Sequence, residues 1–544
     1  MPVSVSYPGV YIQELPSSTH SVTAAPTSVA AFVGYINPFS PFWNTVPDPT
    51  NPPAVPILSF ADYEANFGGF FSSPFLPDYV GQAVFQFFLN GGATAYVVPI
   101  PAVGDFYFDS SGSLTTTHVV APQAALVDAS SDGFAFTALQ PVGLPGGDLG
   151  VNMEVTVSNI TGASEDTADL TIICGTTVET YRRVSITDLI ATVNGRSALA
   201  TVALVTSIPG KYTDLTASSA PFTYTDAPST GDTIIDPTKF APVFADGAAL
   251  DLVSVFNLMA LPGITDATVL AEALAYCEAK RAFYIMDPPA NTVTSALSKL
   301  PDSSVTADPM ENFWDTQTPP VSANGAIYFP YLQTTDPVTG TPSTWGSPPS
   351  GFVAGIFARE DNNRGVWKSP AGLETTILGT TGVVPWGAMT DKQQGQLYSF
   401  PASSPRGINC IRTFPGLGTV VFGSRTLVSG NPAYEQWKYV AVRRMALFIE
   451  QSLYGSLGWA VEEPNDTPLW NALRQEVQAF MLGLYRQGAF QGATADKAFS
   501  VRCDNTTTTQ ADIDQGIVNI VVGFAPLKPA EFVIVQIAQL AGQS

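Results

Sequence analysis

The histidines and cysteines are the residues whose chemistry can be tested first. A nucleophilic triad needs an imidazole held in a cleft beside a serine and a carboxylate. Only His20 and His118 are present, and neither lies near a G-x-S-x-G sequence. The cysteines are far apart and form no C-x-x-C pair: Cys174, Cys277, Cys410 and Cys503. Their spacing predicts buried thiols and indicates neither a zinc set nor a disulfide framework.

A glycine pair and a group of carboxylates are the candidates for phosphate binding and acid/base chemistry. Gly416-x-Gly418 lacks the third glycine and the strand-to-helix context of a dinucleotide site, and no Walker A sequence occurs. Glu462, Glu463 and Asp466 could form a carboxylate cluster for acid/base work or calcium. Negative charge just before a predicted helix accounts for them more simply, because it complements the helix dipole. We therefore predict that the chain is not an enzyme and has no cofactor or metal.

The composition describes a large, apolar and weakly charged chain. Its 544 residues are 45% hydrophobic and only 13% charged. A surface this poor in charge is expected where copies of the chain cover one another. The net charge of −23 argues against nucleic-acid binding, which needs basic patches. No apolar run reaches the roughly 18 residues of a membrane span, and the N-terminus lacks signal-peptide features, so we expect assembly in the cytoplasm and no membrane insertion.

The last hundred or so residues, from Tyr434, predict two helices, two strands and a separate terminal strand. Thr467 is a suitable N-cap for the second helix, and Gly488 a suitable end. Alternation predicts a half-buried strand over 499–503, whereas 517–524 is apolar on both faces, as in a central strand. Two prolines, at 526 and 529, predict a stiff extended exit. The strand Phe532–Ile537 beyond them could pair with its own sheet or with a neighbour's.

The preceding chain predicts an α/β core that is interrupted once. A strand over 27–35, a helix over 79–89 and a strand near 93–100 suggest a crossover unit. The sequence LSFADYEANFGG between them predicts a short strand and turn. Residues 101–240 are rich in Ser, Thr, Gly and Asp, carry 5 basic and 15 acidic side chains, and predict a mostly β insertion on an outer surface. The α/β pattern resumes with a helix over 270–280, strands near 281–289 and 326–332, and a short helix over 352–357.

Several stretches resemble contractile tail sheath proteins, which occur in contractile-tailed phages and related injection systems. The C-terminal ones are WKYVAVRRMALFIEQSLYGSLGWAVEEPNDTPLW, GAFQGATADKAFSVRCD and GFAPLKPAEFVIVQIAQ. Others are YPGVYIQEL near the N-terminus, FADYEANFGG, NGGATAYVV, DNNRGVWKSPAG and GINCIRTFPGLGTVVFGSRTL. The resemblance covers most of the chain except residues 101–240.

The resemblance implies a multidomain, mixed α/β sheath subunit. Its expected parts are an N-terminal arm (1–20), a discontinuous α/β core (21–100 and 241–430), a mostly-β inserted domain (101–240), a C-terminal helix-plus-sheet domain (431–524) and a C-terminal arm (525–544). The arm strands are expected to pair with neighbouring subunits through Val3, Val5, Tyr7, Val10, Ile12, Phe532, Val533, Ile534, Val535 and Ile537.

The resemblance also implies a function and a set of partners. Stacked hexameric rings would surround an inner tube protein and contract to drive it through a target envelope, with baseplate and tail terminator proteins at the ends. A C-terminal-domain helix faces the tube in such sheaths, so Arg443, Arg444 and Arg474 are candidates for contact with it. For Arg444 an arginine stem laid on the core, with its head paired, is an equal alternative. A capsid or surface-layer subunit is the alternative function.

Overall fold

The computed structural model describes residues 20–37, 40–46, 51–71, 77–100, 119–120, 123–138, 153–174, 177–220, 223–224, 237–288, 321–335, 340, 342, 346–384, 391–398, 407–532 and 534–535. Contacts divide the described chain into two units. Unit 1 consists of residues 20–25 with the chain from Met445 onward, and unit 2 runs from Pro26 to Arg444.

The helices and strands are as follows. The helices are α1 (Phe60–Phe67), α2 (Tyr79–Leu89), α3 (Leu189–Asn194), α4 (Ala267–Lys280), α5 (Ser350–Arg364), α6 (Asp391–Tyr398), α7 (Val440–Ser456), α8 (Thr467–Arg486), α9 (Ala495–Ala498) and α10 (Gln510–Asp514). The strands are β1 (Ala30–Tyr35), β2 (Val55–Ile57), β3 (Ala95–Ile100), β4 (Val119–Val120), β5 (Gln123–Val127), β6 (Gly133–Ala138), β7 (Met153–Thr161), β8 (Thr167–Cys174), β9 (Thr177–Ser185), β10 (Ala200–Leu204), β11 (Thr216–Ala220), β12 (Thr223–Tyr224), β13 (Leu258–Ala260), β14 (Phe283–Met286), β15 (Gly325–Phe329), β16 (Tyr331–Gln333), β17 (Gly382–Val384), β18 (Asn409–Phe414), β19 (Gly418–Val421), β20 (Phe499–Arg502) and β21 (Val521–Phe524).

An eight-stranded sheet forms the centre of unit 2, in the order β19-β18-β15-β14-β13-β1-β3-β2. The six inner strands run parallel, and the edge strands β2 and β19 are antiparallel to their neighbours. Strands buried on both faces read as continuous apolar runs, and every residue of β1 and β14 is buried. The α/β core and the crossover from β1 through α2 to β3, predicted from the sequence, are confirmed.

The inserted residues fold as β-structure. Strands β5, β6, β10 and β11 form one antiparallel sheet, and β7, β8 and β9 form another. The two sheets share a core that includes Phe134, Phe136 and Leu170. At Asp169, in the central strand β8, the carboxylate accepts bonds from the Asn159 side chain at 2.9 Å and the Arg183 N–H at 2.7 Å, where both neighbouring ladders shift register. The position of this segment on an outer surface stays a prediction.

Three parts of unit 2 differ from the sequence prediction. Residues 60–67 form a helix where a strand and turn were predicted, because Ser59 caps its N-terminus and Gly68 adopts φ 83° after its last turn. The short helix predicted near 352–357 lies in the first half of the longer α5. The strand predicted over 326–332 is two strands, because β15 and β16 pair with different partners. Within the described ranges, no helix is long and apolar enough to cross a membrane.

Two glycines let α5 lie directly against α2. A Cβ on Gly351 would come within 2.4 Å of the Ala83 Cα, and one on Gly355 within 2.7 Å of the Phe87 carbonyl oxygen. Both obstacles are backbone atoms, which cannot rotate away. The close approach of the two helices therefore depends on the missing side chains.

We predict that Gly355→Ala lowers the free energy of unfolding by about 1–3 kcal/mol, because the overpacking outweighs the gain of about 1 kcal/mol that alanine brings to a helix. Denaturant titration of the variant measures this. Gly483→Ala in α8 is the matched control, since no atom lies within 4 Å of its added Cβ. It should stabilise the chain slightly. A stabilising Gly355→Ala would show that the two helices separate easily.

The N-terminus of α5 is held by a buried carboxylate at the end of β14. Asp287 accepts from the Ser350 N–H at 2.8 Å, the Ser350 hydroxyl at 2.7 Å and the Gly263 N–H at 3.0 Å. Burial raises the pKa of Asp287 from its ordinary value of 3.8 to about 7, against the opposing effect of these bonds. The tyrosines near it, Tyr79, Tyr284 and Tyr331, have pKa values raised by burial and stay neutral.

We predict a pH dependence of stability that belongs to Asp287. Between pH 4 and about 7 the folded chain holds this proton more tightly than the unfolded chain, so its stability falls as the pH rises, by at most about 1.4 kcal/mol per pH unit. The measurement is the difference in free energy of unfolding between wild type and Asp287→Asn from pH 5 to 8. The wild type should lose stability relative to the variant as pH rises. A constant difference would contradict the raised pKa.

Candidate interaction surface in the C-terminal unit

Unit 1 is built on α8, whose start and end are fixed locally. The Asp466 carboxylate accepts from the Leu469 N–H at 3.2 Å, so Asp466 is the N-cap and Thr467, predicted for that role, is the first helical residue. Gly488 follows the helix with φ 81°, as predicted. The apolar face of α8 is buried, at Leu469, Trp470, Leu473, Val477, Met481 and Leu484.

A two-stranded antiparallel sheet, β20 with β21, contributes one apolar face to the interior of unit 1. Phe499 lies opposite Phe524 and Val501 opposite Val522. The Phe490 ring lies 6.2 Å from the Phe499 ring and 5.7 Å from the Phe524 ring, measured between centroids. The opposite face carries exposed Ser500, Arg502 and Val521. The half-buried strand predicted over 499–503 is confirmed as β20.

The hydrogen-bond phase of this sheet shows which backbone groups face outward. The Ala525 N–H donates to the Ala498 carbonyl at 2.8 Å, so 498 and 525 are a hydrogen-bonded pair. Bonded and non-bonded pairs alternate along an antiparallel ladder. The opposed residues Val501 and Val522 are therefore a non-bonded pair, and their N–H and C=O groups point away from each other, toward the two sheet edges. Among the described residues, no third strand pairs with either edge.

The second strand is shorter than predicted, because its first half is bonded elsewhere. The Ile517 N–H donates to the Asp512 carbonyl at 2.8 Å, and its carbonyl accepts from the Asn465 side chain at 3.0 Å. The Asn519 N–H donates to the Thr508 hydroxyl at 3.0 Å. Only 521–524 is left for the ladder. The central strand predicted over 517–524 is thus an edge strand of a two-stranded sheet in the single chain.

The chain leaves the sheet as a segment with several exposed apolar side chains. Ala525 and Pro526 still contact 490–491, through the Gln491 N–H to Ala525 carbonyl bond of 2.9 Å and a bridge from Pro526 to Phe490. Beyond them the described residues form no strand. Large apolar side chains are exposed there: Phe532 by 73%, Ile534 by 84% and Val535 by 76%. The other predicted arm residues lie outside the described residues: Val3, Val5, Tyr7, Val10, Ile12, Val533 and Ile537.

The three candidate arginines differ in accessibility. Arg444 is buried and paired with Asp361, so it cannot contact a tube from this position, and the alternative of a core arginine with a paired head applies. Arg443 is partly buried, donates to the Asn324 side chain at 2.9 Å and lies over the Trp437 ring. Arg474 is partly buried, and its guanidinium donates to the Asn471 side-chain oxygen at 2.7 Å. Arg443 and Arg474 as tube contacts stay predictions.

The N-terminal segment contacts α7, which the sequence did not predict. The Thr23 and Ala25 N–H groups donate to the Ser456 and Ser452 hydroxyls, at 3.0 and 2.9 Å. The His20 ring stacks on the Trp459 ring, with centroids 4.2 Å apart. His20 thus contacts an aromatic ring instead of a serine nucleophile. Serines at 452 and 456 are one helical turn apart, and this spacing is the only signal that could have indicated the contact.

The described cysteines and carboxylates form no metal site. All four cysteines are free and buried. Burial raises the pKa of the Cys410 thiol to about 12 and raises that of Cys277 as well, so both are unreactive thiols. In the part of the chain that the structure describes, no group of three or more His, Cys, Asp or Glu side chains could hold an ion.

The sequence of the C-terminal region matches a known domain family. Residues 433–539 match the phage tail sheath C-terminal domain. A prophage major tail sheath protein of Pseudomonas aeruginosa is 27% identical over 294 residues, 52% of this chain and 66% of that protein. The tail sheath protein of Salmonella phage ViI is 28% identical over 30% of this chain and 24% of that protein. The chain thus spans less than two thirds of the length of the relatives that it matches.

Solved structures share the fold over nearly the whole chain. The sheath complex of an extracellular contractile injection system, PVC, in its contracted state, covers 99% of both chains with a TM-score of 0.55 and 21% identity. The contracted helical sheath of the anti-feeding prophage covers 98% of this chain and 100% of that one, with a TM-score of 0.52 and 22% identity. The predicted mixed α/β sheath fold is confirmed, and none of these names describes an enzyme.

The resemblance to contractile tail sheath proteins is therefore confirmed: residues 433–539 match the phage tail sheath C-terminal domain family, and the chain has the fold of contractile sheath subunits.

Proposed function

We propose that the chain is a structural subunit of a contractile tail sheath that assembles as stacked hexameric rings around an inner tube. The observation that carries this proposal is the two-stranded sheet β20–β21, which lies inside the matched region 433–539 and presents backbone groups at both edges. An exposed apolar segment, which includes Phe532 and Ile534, follows the sheet directly. Edges and segment together form both halves of a strand-addition joint.

Such a joint is heterologous, because one subunit gives a strand and the next accepts it. Heterologous contacts close into rings or extend into helices, and a sheath needs both. A strand with about five new backbone bonds, each worth about 0.5–1.5 kcal/mol net, gives a modest energy per joint. Burial of the exposed Phe532, Ile534 and Val535 side chains adds to it. Repeated along a sheath, these joints keep neighbours connected.

Contraction is proposed as a rigid-body rearrangement of the subunits. The joints stay paired while subunits rotate from an extended, metastable lattice into a compact one. Pro526 and Pro529 stiffen the segment between the sheet and the donated strand, which limits how far neighbours separate. The difference in free energy between the extended and the compact lattice supplies the work of contraction. Contraction therefore needs no nucleotide. It drives the tube through a target envelope.

The proposed sheath would have three kinds of partner besides its own subunits. An inner tube protein lies within the rings, and baseplate and tail terminator proteins close the two ends. The anti-feeding prophage baseplate contains a chain with this fold, at a TM-score of 0.53 and 23% identity. The partly buried Arg443 and Arg474 are the proposed tube contacts. Assembly takes place in the cytoplasm, and the product is part of a phage tail or a tail-like injection particle.

A capsid or surface-layer subunit would use the same kind of joint in a different lattice. The match of residues 433–539 to a tail sheath domain favours the sheath. Negative-stain microscopy of the purified chain tests this directly. Tubes with helical striations support a sheath, whereas flat sheets or closed shells support the alternative.

We predict that Val522→Pro stops polymerisation without unfolding the subunit. The Val522 N–H points away from β20, so proline removes a donor from the sheet edge and none from the internal ladder. Tube formation is measured by sedimentation and microscopy, and folding by circular dichroism. The matched control Val522→Ala keeps the N–H, loses similar apolar surface, and should polymerise. Normal tubes from Val522→Pro would show that β21 accepts no strand at that position.

We predict that Val501→Pro identifies which of the two edges is used. Its N–H faces outward from β20, on the opposite edge of the sheet. If only one edge accepts a strand, one proline variant stops assembly and the other assembles normally. If both edges accept strands, both variants remain as folded single subunits. If each of the two variants forms normal tubes, neither edge of the sheet accepts a strand at these positions.

We predict that a chain lacking residues 1–12 folds but does not polymerise. The alternating residues Val3, Val5 and Tyr7 give a free terminus strand character, and a strand of this kind needs a partner. The truncated chain should elute as a single subunit in size-exclusion chromatography, with the circular dichroism of the full chain. Normal tubes from it would exclude the N-terminal arm from the joint.

A further inference from the structure

A buried ion pair in unit 2 holds the chain where it enters the first strand. The Arg444 guanidinium donates to both carboxylate oxygens of Asp361, at 2.9 and 2.6 Å. The two side chains are only 3% and 2% exposed. The same guanidinium also donates to the Thr27 carbonyl at 2.9 Å. Because a bidentate pair has a fixed planar geometry, the Thr27 carbonyl is fixed relative to the last turns of α5.

Thr27 also contacts the other charge of the pair. Its side chain is hydrogen-bonded to Asp361. The Phe357 ring packs on the guanidinium, with its centroid 4.7 Å from Cζ of Arg444. Burial raises the pKa of Asp361, and the Arg444 guanidinium opposes that rise. Thr27 is therefore hydrogen-bonded to both side chains of the ion pair.

The position of Thr27 in the chain gives the pair its significance. Two residues later the Val29 N–H donates to the Asn257 side chain at 3.1 Å, and the Ala30 N–H donates to the Thr94 carbonyl at 3.2 Å as β1 begins. Thr27 lies one residue after the boundary of the units, and Arg444 is the last residue of unit 2 before the other boundary. The Arg444 side chain thus joins the chain near the start of unit 2 to the chain at its end.

We propose that Arg444 is a clamp that secures the entry of the N-terminal segment into unit 2. A pull on that segment is transmitted through Thr27 to the ion pair and α5, and does not unpair β1 from its end. The clamp itself is a property of the single subunit. The transmission of tension rests on the proposed function, because only an arm joined to a neighbouring subunit is pulled.

Replacing both charged residues together distinguishes the clamp on Thr27 from a general contribution of the ion pair to the stability of the fold. Removing one partner leaves an uncompensated buried charge, whereas apolar residues of similar volume often replace a buried pair without loss of stability. The double variant Arg444→Met with Asp361→Leu therefore keeps the fold and loses the bonds to Thr27. Its thermal midpoint should equal or exceed that of the wild type.

Amide hydrogen exchange of single subunits tests the clamp. In the double variant the Val29 and Ala30 amides should exchange about tenfold faster, because the end of β1 opens locally. The matched control removes a neighbouring ion pair, between Glu360 on α5 and Lys368 after it, with Glu360→Gln and Lys368→Met. That pair, 2.9 Å long, has no bond to Thr27 and should leave both amides unchanged. Unchanged exchange in a folded double variant overturns the clamp.

A second variant keeps the test decisive if the double variant does not fold. Arg444→Lys retains the charge beside Asp361 and loses the planar fork that reaches the Thr27 carbonyl at the same time. The Val29 and Ala30 amides should again exchange faster, with amides of β14 unaffected. Faster exchange throughout the sheet would show a general loss of stability and would overturn the specific role.

Assembled tubes test the transmission of tension. Tubes of the double variant should form, because its arms and sheet edges are unchanged, and should break to shorter lengths than wild-type tubes after the same sonication. Equal lengths would reject the transmission of tension. Failure of the wild-type chain to form tubes would reject the proposed function alone, since the exchange measurements use single subunits.

Discussion

Backbone N–H and C=O groups at the edge of a sheet need hydrogen-bond partners, and unit 1 meets this requirement only in part. In the described chain, β20 and β21 pair with each other and with no third strand. A two-stranded sheet alone is marginal in water, and here α8 and Phe490 stabilise one face. The edges stay available because no further strand of the described chain reaches them. The proposed assembly by strand addition would give these edges their partners.

Unit 2 handles the same constraint differently. Its six parallel strands lie inside an eight-stranded sheet, whose edge strands are short and antiparallel. Two buried carboxylates in its interior are hydrogen-bonded. Asp287 holds the N-terminus of α5, and Asp361 near the other end binds Arg444. These two carboxylates fix both ends of α5 within unit 2, which suits the proposed rigid-body movement of subunits.

The elements with a clear period were predicted correctly. The helix over 79–89 and the buried strand within 27–35 have the predicted positions, because each has an apolar pattern that fits only one kind of element. Residues 60–67 were assigned as strand and turn, since a helix of eight residues has too few turns to show its period. The strand predicted over 517–524 was too long, because Ile517 donates its N–H to the Asp512 carbonyl in α10 and accepts from the distant Asn465 side chain. The sequence pattern does not show these bonds.

The candidate surface was predicted in part. The apolar character of Phe532, Ile534 and Val535 is evident from their residue types. Their exposure in the structure supports the proposal that this segment binds a neighbouring subunit. Arg444 could not be placed by sequence alone, because a helical position beside an apolar stripe suits both a surface and a core arginine. Its partner Asp361 is 83 residues away, and only the fold brings the two charges together.

The sequence by itself determined which segments are apolar, where the chain turns, and that the C-terminal region matches the tail sheath C-terminal domain. These properties depend on residue type and short-range spacing, which a linear chain displays completely. The tertiary structure decided which strands share a sheet, which edges stay unpaired, and which charges meet in the interior. Those outcomes depend on contacts between residues far apart in the chain, such as Thr27, Asp361 and Arg444, and no local pattern encodes them.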